Sequence, residues 1–432
     1  MYLFPLASEN KKALTQKAKV LLRQLQAFPQ ELRLRELCML MGSTKEPACY
    51  RAVLPIRTKA ELHTSLEALS NGSALSTAIV SPELSPCTKK LFLCLPGMGT
   101  DWSQCRPTQL LQQKAFAATL NELESPIHKA LGLSVHELLS SSEAPKPSSP
   151  DYVLKTHTMI FAMHICLAKQ LTAMGLQVDG LMSFSVGELP AGYLSGAYSL
   201  EQAVEILKTV AQTHQAGVGL GRMLVVIGKP IDEVKKLLIE FAPTSSIGAQ
   251  FAATGFALAS PLDELQAIET QLSGEELFTM YPEHITLPYH SPLLKTSVEQ
   301  NFPTEASFRA DKTKIPWFSS IHGRQIQKND LHRGLWEKNV LDTAHSYLAI
   351  QAALETTEAN VIELNTQPLY ARSFNDEAAQ SGKPGYALPL FSSESIEPLD
   401  EQMLRAVAEV FVYGSEVNWQ THFGVEDSPT QK

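Results

Sequence analysis

The chain has 432 residues, 44% hydrophobic and 19% charged, with a formal charge of −9. A chain this long and apolar buries a sizeable core in two or three structural units. It is not a disordered polymer, which would be polar and highly charged, and its acidic balance without a basic stripe speaks against nucleic-acid binding.

The N-terminus, MYLFPLASENKK, lacks the basic start and long apolar core of a signal peptide. Helical periodicity marks Lys11–Leu25 and Pro29–Met41, then a strand-like Tyr50–Ile56 and a helical Lys59–Leu69. Ser70–Lys89 reads as a linker. Leu91–Leu95 has the look of a buried strand and ends at Pro96-Gly97-Met98-Gly99. Ser142–Pro150 is loop, Tyr152–Met174 a long helix stopped by Gly175, Val178–Ser183 a strand and Gly187–Gly196 helical. Ser199 and Gln202 form a capping box for the next helix. Then come strand Met223–Ile227, helix Ile231–Phe241, strand Gln250–Ala259 and helix Pro261–Leu272. That order is the texture of a small ferredoxin-like insertion at about 222–286. Strands and helices return through Val361–Leu364, and Tyr386–Phe423 reads as a strand plus one amphipathic helix, Asp400–Tyr413.

The longest apolar stretches, such as Met159–Ala168, are about half the roughly 20 residues of a membrane span. Cys38, Cys49, Cys87, Cys94, Cys105 and Cys166 make no CxxC or CxxxH pairing. They fit buried thiols of a reducing compartment rather than a disulfide or zinc framework, so the expected location is cytoplasmic.

The chemistry concentrates in Asp179–Glu188. A hydrophobic strand runs into Ser183-Phe184-Ser185-Val186-Gly187 and straight into a helix. A serine on such a turn has an exposed hydroxyl, and the small Gly187 lets the backbone pass closely. Ser185 is therefore either a nucleophile or a helix cap. A serine nucleophile needs a base, and His290, in Leu287-Pro-Tyr-His-Ser-Pro-Leu293, stands at a strand-to-helix junction that suits one. A lone histidine is also compatible with a structural role.

Seven segments bear on that choice. They are LFLCLPGMGTDW, SFSVGELPAGYLSGAYSLEQAV, GRMLVVIG, LPYHSPLL, IPWFSSIHG, LWEKNVLDTAHSYLAIQAAL and VIELNTQPL. In content and order they resemble the acyl-carrier-protein acyltransferases, the malonyl-type transacylases and acyltransferase domains of polyketide and animal-type fatty acid synthases. The resemblance covers about residues 91–420. Residues 1–88 resemble the linker domain between ketosynthase and acyltransferase in such synthases, and 386–432 the linker that follows.

The resemblance implies an α/β fold: a hydrolase-like parallel-sheet core at 89–385 with an inserted ferredoxin-like subdomain, plus a small N-terminal α/β linker domain. It makes Ser185 the nucleophile and His290 the general base. The oxyanion would rest on the backbone N–H groups of Met98 and Val186, a donor of this kind contributing roughly 3–4 kcal/mol. His290 would be held by backbone carbonyls near Asn365-Thr366. No bound cofactor or metal is implied. Acyl-CoA is the donor, and the phosphopantetheine of an acyl carrier protein the acceptor. A ketosynthase or larger synthase is a further implied partner.

Departures from the family pattern bear on the substrate. Malonyl-type members place an arginine 25 residues after the serine to clamp a carboxylate; here that position is Val210. An unpaired buried carboxylate costs several kcal/mol, so a neutral acyl group is favoured over malonyl. Arg222 and His157 (at the place of a family glutamine) are candidate replacement cations, or simply a strand-start residue and a packed histidine. Phe184 replaces the usual histidine before the serine and would make the pocket larger and more apolar. Tyr289 would narrow the space beside the acyl α-carbon, or pack in the core. A thioester hydrolase of the same fold and a non-catalytic docking module remain alternatives.

Overall fold

The computed structural model describes residues 1–25, 33–43, 50–73, 78–81, 89–99, 102, 107–141 and 143–424. Three sheets organise them. The first is antiparallel and joins β1 (Tyr2–Ser8), β2 (Tyr50–Ile56) and β3 (Ile79–Val80) in that order. The central sheet holds β4 (Lys90–Leu95), β5 (Gly180–Ser183), β10 (Trp317–Ser319), β11 (Arg324–Gln325), β13 (Ala359–Glu363) and β14 (Gly385–Pro389). Its order is β11-β10-β5-β4-β13-β14, and all neighbours are parallel except the β11 edge. The third sheet holds β6 (Arg222–Ile227), β7 (Ser246–Ala252), β8 (Gly255–Ser260), β9 (Phe278–Met280) and β12 (Ala344–His345), in the order β12-β7-β8-β6-β9.

The central sheet is covered on both faces, which explains its unbroken apolar runs. Leu91, Leu93, Leu95 and Leu181 face one core with the Tyr152–Ala173 helix. Phe92, Cys94, Met182, Phe184 and Phe318 face the opposite side, with Ile350 and Phe374 from two further helices. The period-two alternation of strand side chains makes this division.

Strands β6 to β9 and the helices Ile231–Phe241 and Leu262–Leu272 follow a β-α-β-β-α-β order, the ferredoxin-like plan. The expected single strand Gln250–Ala259 is in fact a hairpin, β7 and β8, turning at Ala253-Thr254. One face of this sheet packs on its own two helices through Leu224, Val226 and Phe256. The other contributes Met223, Ala257 and Ala259 to the main core, while β12 pairs alongside β7. The insertion thus sits firmly against the catalytic core.

Other expectations need correction. Tyr2–Ser8 is a strand that the sequence reading passed over; Pro5 interrupts its pattern, and an edge strand tolerates proline. The supposed linker after Ser70 carries β3, with 74–77 and 82–88 outside the described residues. Only Leu34–Gly42 of the expected second helix is described there, and Cys49, Cys87 and Cys105 also lie outside the described residues. A division between 385 and 386 cuts through β14, which is part of the central sheet.

The helix Leu399–Val412 packs on the N-terminal sheet. Buried Arg51 ties them together, donating to the carbonyls of Phe411 (3.1 Å) and Ser415 (2.8 Å) and to Glu416 (2.8 Å). Its guanidinium also lies 4.8 Å from the Phe411 ring centre. Replacing Arg51 by leucine is expected to cost ~2–4 kcal/mol in urea unfolding, because two buried carbonyls lose a charged donor. Glu416→Ala should cost under ~1 kcal/mol, since Glu416 is 61% exposed. Equal losses for the two variants would contradict this assignment.

Candidate active site

Strand β5 ends at Ser183, and the chain turns at Ser185 into the Glu188–Leu194 helix. Ser185 has φ 56°, in the left-handed region that a side chain rarely adopts. Two close approaches fix that turn. A Cβ on Gly187 would meet the Leu95 carbonyl oxygen at 2.0 Å, and one on Gly97 would meet Ser185 Cβ at 2.8 Å. The loop after β4 therefore lies directly on the elbow. A Cβ on Gly97 would also lie 3.2 Å from the Val186 nitrogen, so the residue before Met98 abuts the Ser185–Val186 backbone.

Beneath the elbow lies Glu188, 1% exposed. Its carboxylate accepts from Ser183 Oγ, Trp317 Nε1 (3.1 Å), Ser319 Oγ (3.0 Å), Ser320 N (2.8 Å) and Ser320 Oγ (2.9 Å). Ser320 Oγ in turn accepts from the Ser185 N–H at 3.2 Å. Asn339 Nδ2 donates to the Ser185 carbonyl at 3.0 Å. Burial raises the Glu188 carboxyl to about 7, and its donors oppose that rise. Ser183 stands where the usual elbow has glycine, and its hydroxyl joins this network.

Ser185 Oγ lies 2.7 Å from His290 Nε2. His290 also has φ 56° and is 2% exposed. The expected support from Asn365-Thr366 is not what holds its ring. The backbone carbonyls of Asn339 and Asp342 favour its protonated form, although Nδ1 has no partner of full hydrogen-bond geometry. Asn365 instead donates to buried Glu363, and its side chain accepts from the Thr366 N–H. For Nε2 to accept from the Ser185 hydroxyl, the neutral ring carries its proton on Nδ1. Burial lowers the His290 pKa to about 4.

The remaining candidates divide. His157, Tyr289 and His290 are brought into one buried group, with ring centres 6.0 Å and 6.5 Å apart in succession. His214, which the sequence reading missed, joins them by hydrogen bonding to His157 Nε2 at 3.0 Å. Its signal was available: it lies one helical turn after Val210 on the buried face of the Leu200–Ala216 helix. Val210 is fully buried in the main core. Phe184 is not part of this group. It stacks on Tyr370 at 4.0 Å in the opposite core, so it does not enlarge the pocket. Arg222 is committed to the carbonyls of Ile285 (3.1 Å) and Pro282 (3.3 Å).

A cavity of about 410 Å³ begins at Met98 and Trp102 and runs along Tyr152, Thr156, Met159 and Ile160. Its size falls within the range of small-molecule sites.

The acyl transferase domain family model matches residues 91–417. The chain belongs to that family. It is an acyltransferase domain, of a family that works through a serine and a histidine. It is 24% identical over 427 residues to the 6-methylsalicylic acid synthase of Penicillium expansum, covering 96% of this chain and 23% of that protein. To erythronolide synthase EryA2 of Saccharopolyspora erythraea it is 22% identical over 414 residues, covering 95% and 11%. The chain thus spans about a quarter or less of the curated relatives it matches. The acyltransferase domain from module 8 of the salinomycin polyketide synthase matches with TM-score 0.82 at 18% identity, covering 97% of each chain. The acyl transferase domain of ZmaA matches with TM-score 0.80 at 17% identity, covering 98% and 97%. These two likenesses establish the fold. No helix among the described residues is long and apolar enough to cross a membrane.

In the general-base role expected of it, His290 would work in its neutral form, so its depressed pKa would extend activity toward acid. First-turnover acylation of the enzyme is expected to stay level from about pH 8 to about pH 5 and to fall as His290 protonates near pH 4. Rapid-quench mass measurement reads this profile, and a fall centred near the ordinary imidazole value of about 6.5 would contradict it.

Proposed function

We propose that this acyltransferase moves a neutral acyl group from acyl-CoA through a seryl ester to the phosphopantetheine thiol of an acyl carrier protein. The observation carrying this reading is the 2.7 Å pair of Ser185 Oγ and His290 Nε2 on an elbow covered by the Met98 loop. His290 Nε2 takes the Ser185 proton as Oγ attacks the thioester carbonyl. The backbone N–H groups of Met98 and Val186 hold the oxyanion. The carbon–sulfur bond breaks, the thiol leaves with the proton from His290, and an ester remains on Ser185. The carrier thiol then attacks that ester, giving its proton to His290, and the serine recovers its own.

Support for a neutral acyl group comes from the three expected clamp positions, none of which supplies a free cation, while Lys146 at the cavity pairs with Glu143 at 3.5 Å. Val210 occupies the clamp position, Arg222 is engaged elsewhere, and burial keeps His157 neutral by lowering its pKa to about 3. The cavity beside Met98 is walled mainly by apolar side chains. The buried free thiols Cys38, Cys94 and Cys166 fit a cytoplasmic location. The chain divides, in this reading, into a linker domain at 1–88, an acyltransferase domain from 89 that includes β14, and a following linker strapped back onto the N-terminal sheet. A larger synthase is the natural setting for such linkers.

The test is acyl-enzyme formation with acetyl-, propionyl- and malonyl-CoA, read by intact-protein mass. Acetyl or propionyl labelling should exceed malonyl by about a hundredfold, as loss of a bidentate carboxylate clamp implies. Val210→Arg should then gain malonyl labelling. Malonyl labelling of the wild-type chain as fast as acetyl overturns the neutral-acyl reading. Transfer to a holo carrier protein, rather than release of free acid, separates transferase from hydrolase.

A further inference from the structure

The cavity at Met98 adjoins both segments that carry the reacting pair. One wall is the loop after β4, where a Cβ on Gly97, the residue before Met98, would stand 2.8 Å from Ser185 Cβ. Met98 Cα is therefore within about 8 Å of Ser185 Cβ. Another wall includes His284, on the segment that leads into His290. A third is one face of the long helix Tyr152–Ala173, where Tyr152, Thr156, Met159 and Ile160 recur at helical spacing.

The chemistry of this lining narrows what can fill it. Met98, Met159, Ile160, Pro145 and Pro147 offer apolar surface, and proline brings no N–H. The hydroxyls of the described wall already donate within the protein. Tyr152 donates to the His284 carbonyl at 3.0 Å, and Thr156 turns back onto the carbonyls of Tyr152 (2.9 Å) and Val153 (3.1 Å). The Trp102 indole N–H is buried behind the wall, out of a ligand's reach. Lys146 and Glu143 are exposed and pair with each other.

Two parts of an acyl donor could enter: the acyl chain or the pantetheine arm. The arm carries amides, which would lose water here without gaining partners. An alkyl chain has no such demand. The volume of 410 Å³ holds roughly a dozen water-sized groups, so an acetyl group would leave it almost empty.

We propose that this cavity receives the alkyl tail of an acyl group esterified to Ser185, which makes medium-length saturated thioesters such as hexanoyl and octanoyl the preferred donors. This rests on the seryl-transfer reading above. It assigns Thr156, Met159 and Ile160 to set chain length.

The test compares acetyl-, butyryl-, hexanoyl- and octanoyl-CoA in first-turnover labelling of the full chain, below saturation. Each buried methylene is worth about fourfold. Octanoyl should label at least about a hundredfold faster than acetyl, with most of the rise beyond butyryl, because the shorter chains stop before the cavity. Thr156→Phe, which fills part of the space, should cut the octanoyl-to-acetyl ratio by about tenfold or more. Thr156→Leu gives the same comparison if Thr156→Phe does not fold. Acetyl labelling as fast as octanoyl overturns this inference and leaves the seryl-transfer reading standing. A ratio unchanged in the folded variant also overturns it, and a common slowing of all four donors would then assign the cavity to the pantetheine arm. Labelling by no donor at all removes both readings.

Discussion

The left-handed backbone at Ser185 is the constraint on which the rest of the site depends. A non-glycine residue in that region costs roughly 1–3 kcal/mol and persists only when its surroundings enforce it. Here the enforcement comes from above and below. Gly97 and Gly187 let the loop after β4 press onto the turn, which leaves no room for a side chain at either position. Glu188 gathers donors from Ser183, Trp317, Ser319 and Ser320, and Ser320 Oγ accepts from the Ser185 N–H. Three neighbouring strands, β4, β5 and β10, thus meet at one serine. The same packing that strains Ser185 sets it 2.7 Å from His290 and draws Gly97 against it.

Much of this was legible in the sequence because it is local. A strand, a small-residue turn and a helix in immediate succession single out Ser185 as a candidate without any long-range information, although the same pattern also fits a helix cap. Lys11–Leu25 and Ile231–Phe241 were legible for the same reason: their hydrophobic periodicity is unbroken, and they appear at those bounds. Tyr2–Ser8 was obscured because its proline is acceptable only at a sheet edge, which pairing decides. The β7–β8 hairpin was hidden by a continuous run of small and apolar residues.

What stayed illegible was tertiary. Nothing near His290 in sequence says that its ring faces the carbonyls of Asn339 and Asp342 rather than those near Asn365. Phe184 follows the nucleophile strand's alternation to the far face of the sheet, where Tyr370 stacks on it. A residue adjacent to the nucleophile is therefore not adjacent to the pocket. His214 was missed because its meaning arises only from its bond to His157, 57 positions away in the chain. Valine stands at 210, where the resemblance places a charged clamp, and His214 one turn along is bonded to His157. The proposed preference for a neutral acyl group rests on that exchange.

The most direct test of the account is where an acyl group becomes attached. The wild-type chain and Ser185→Ala are each incubated with the donor that labels best, then measured intact and as peptides. One added acyl mass is expected on the peptide containing Ser185 and none on the variant. An acyl mass of equal yield on Ser185→Ala, or one mapped to another residue, would contradict it.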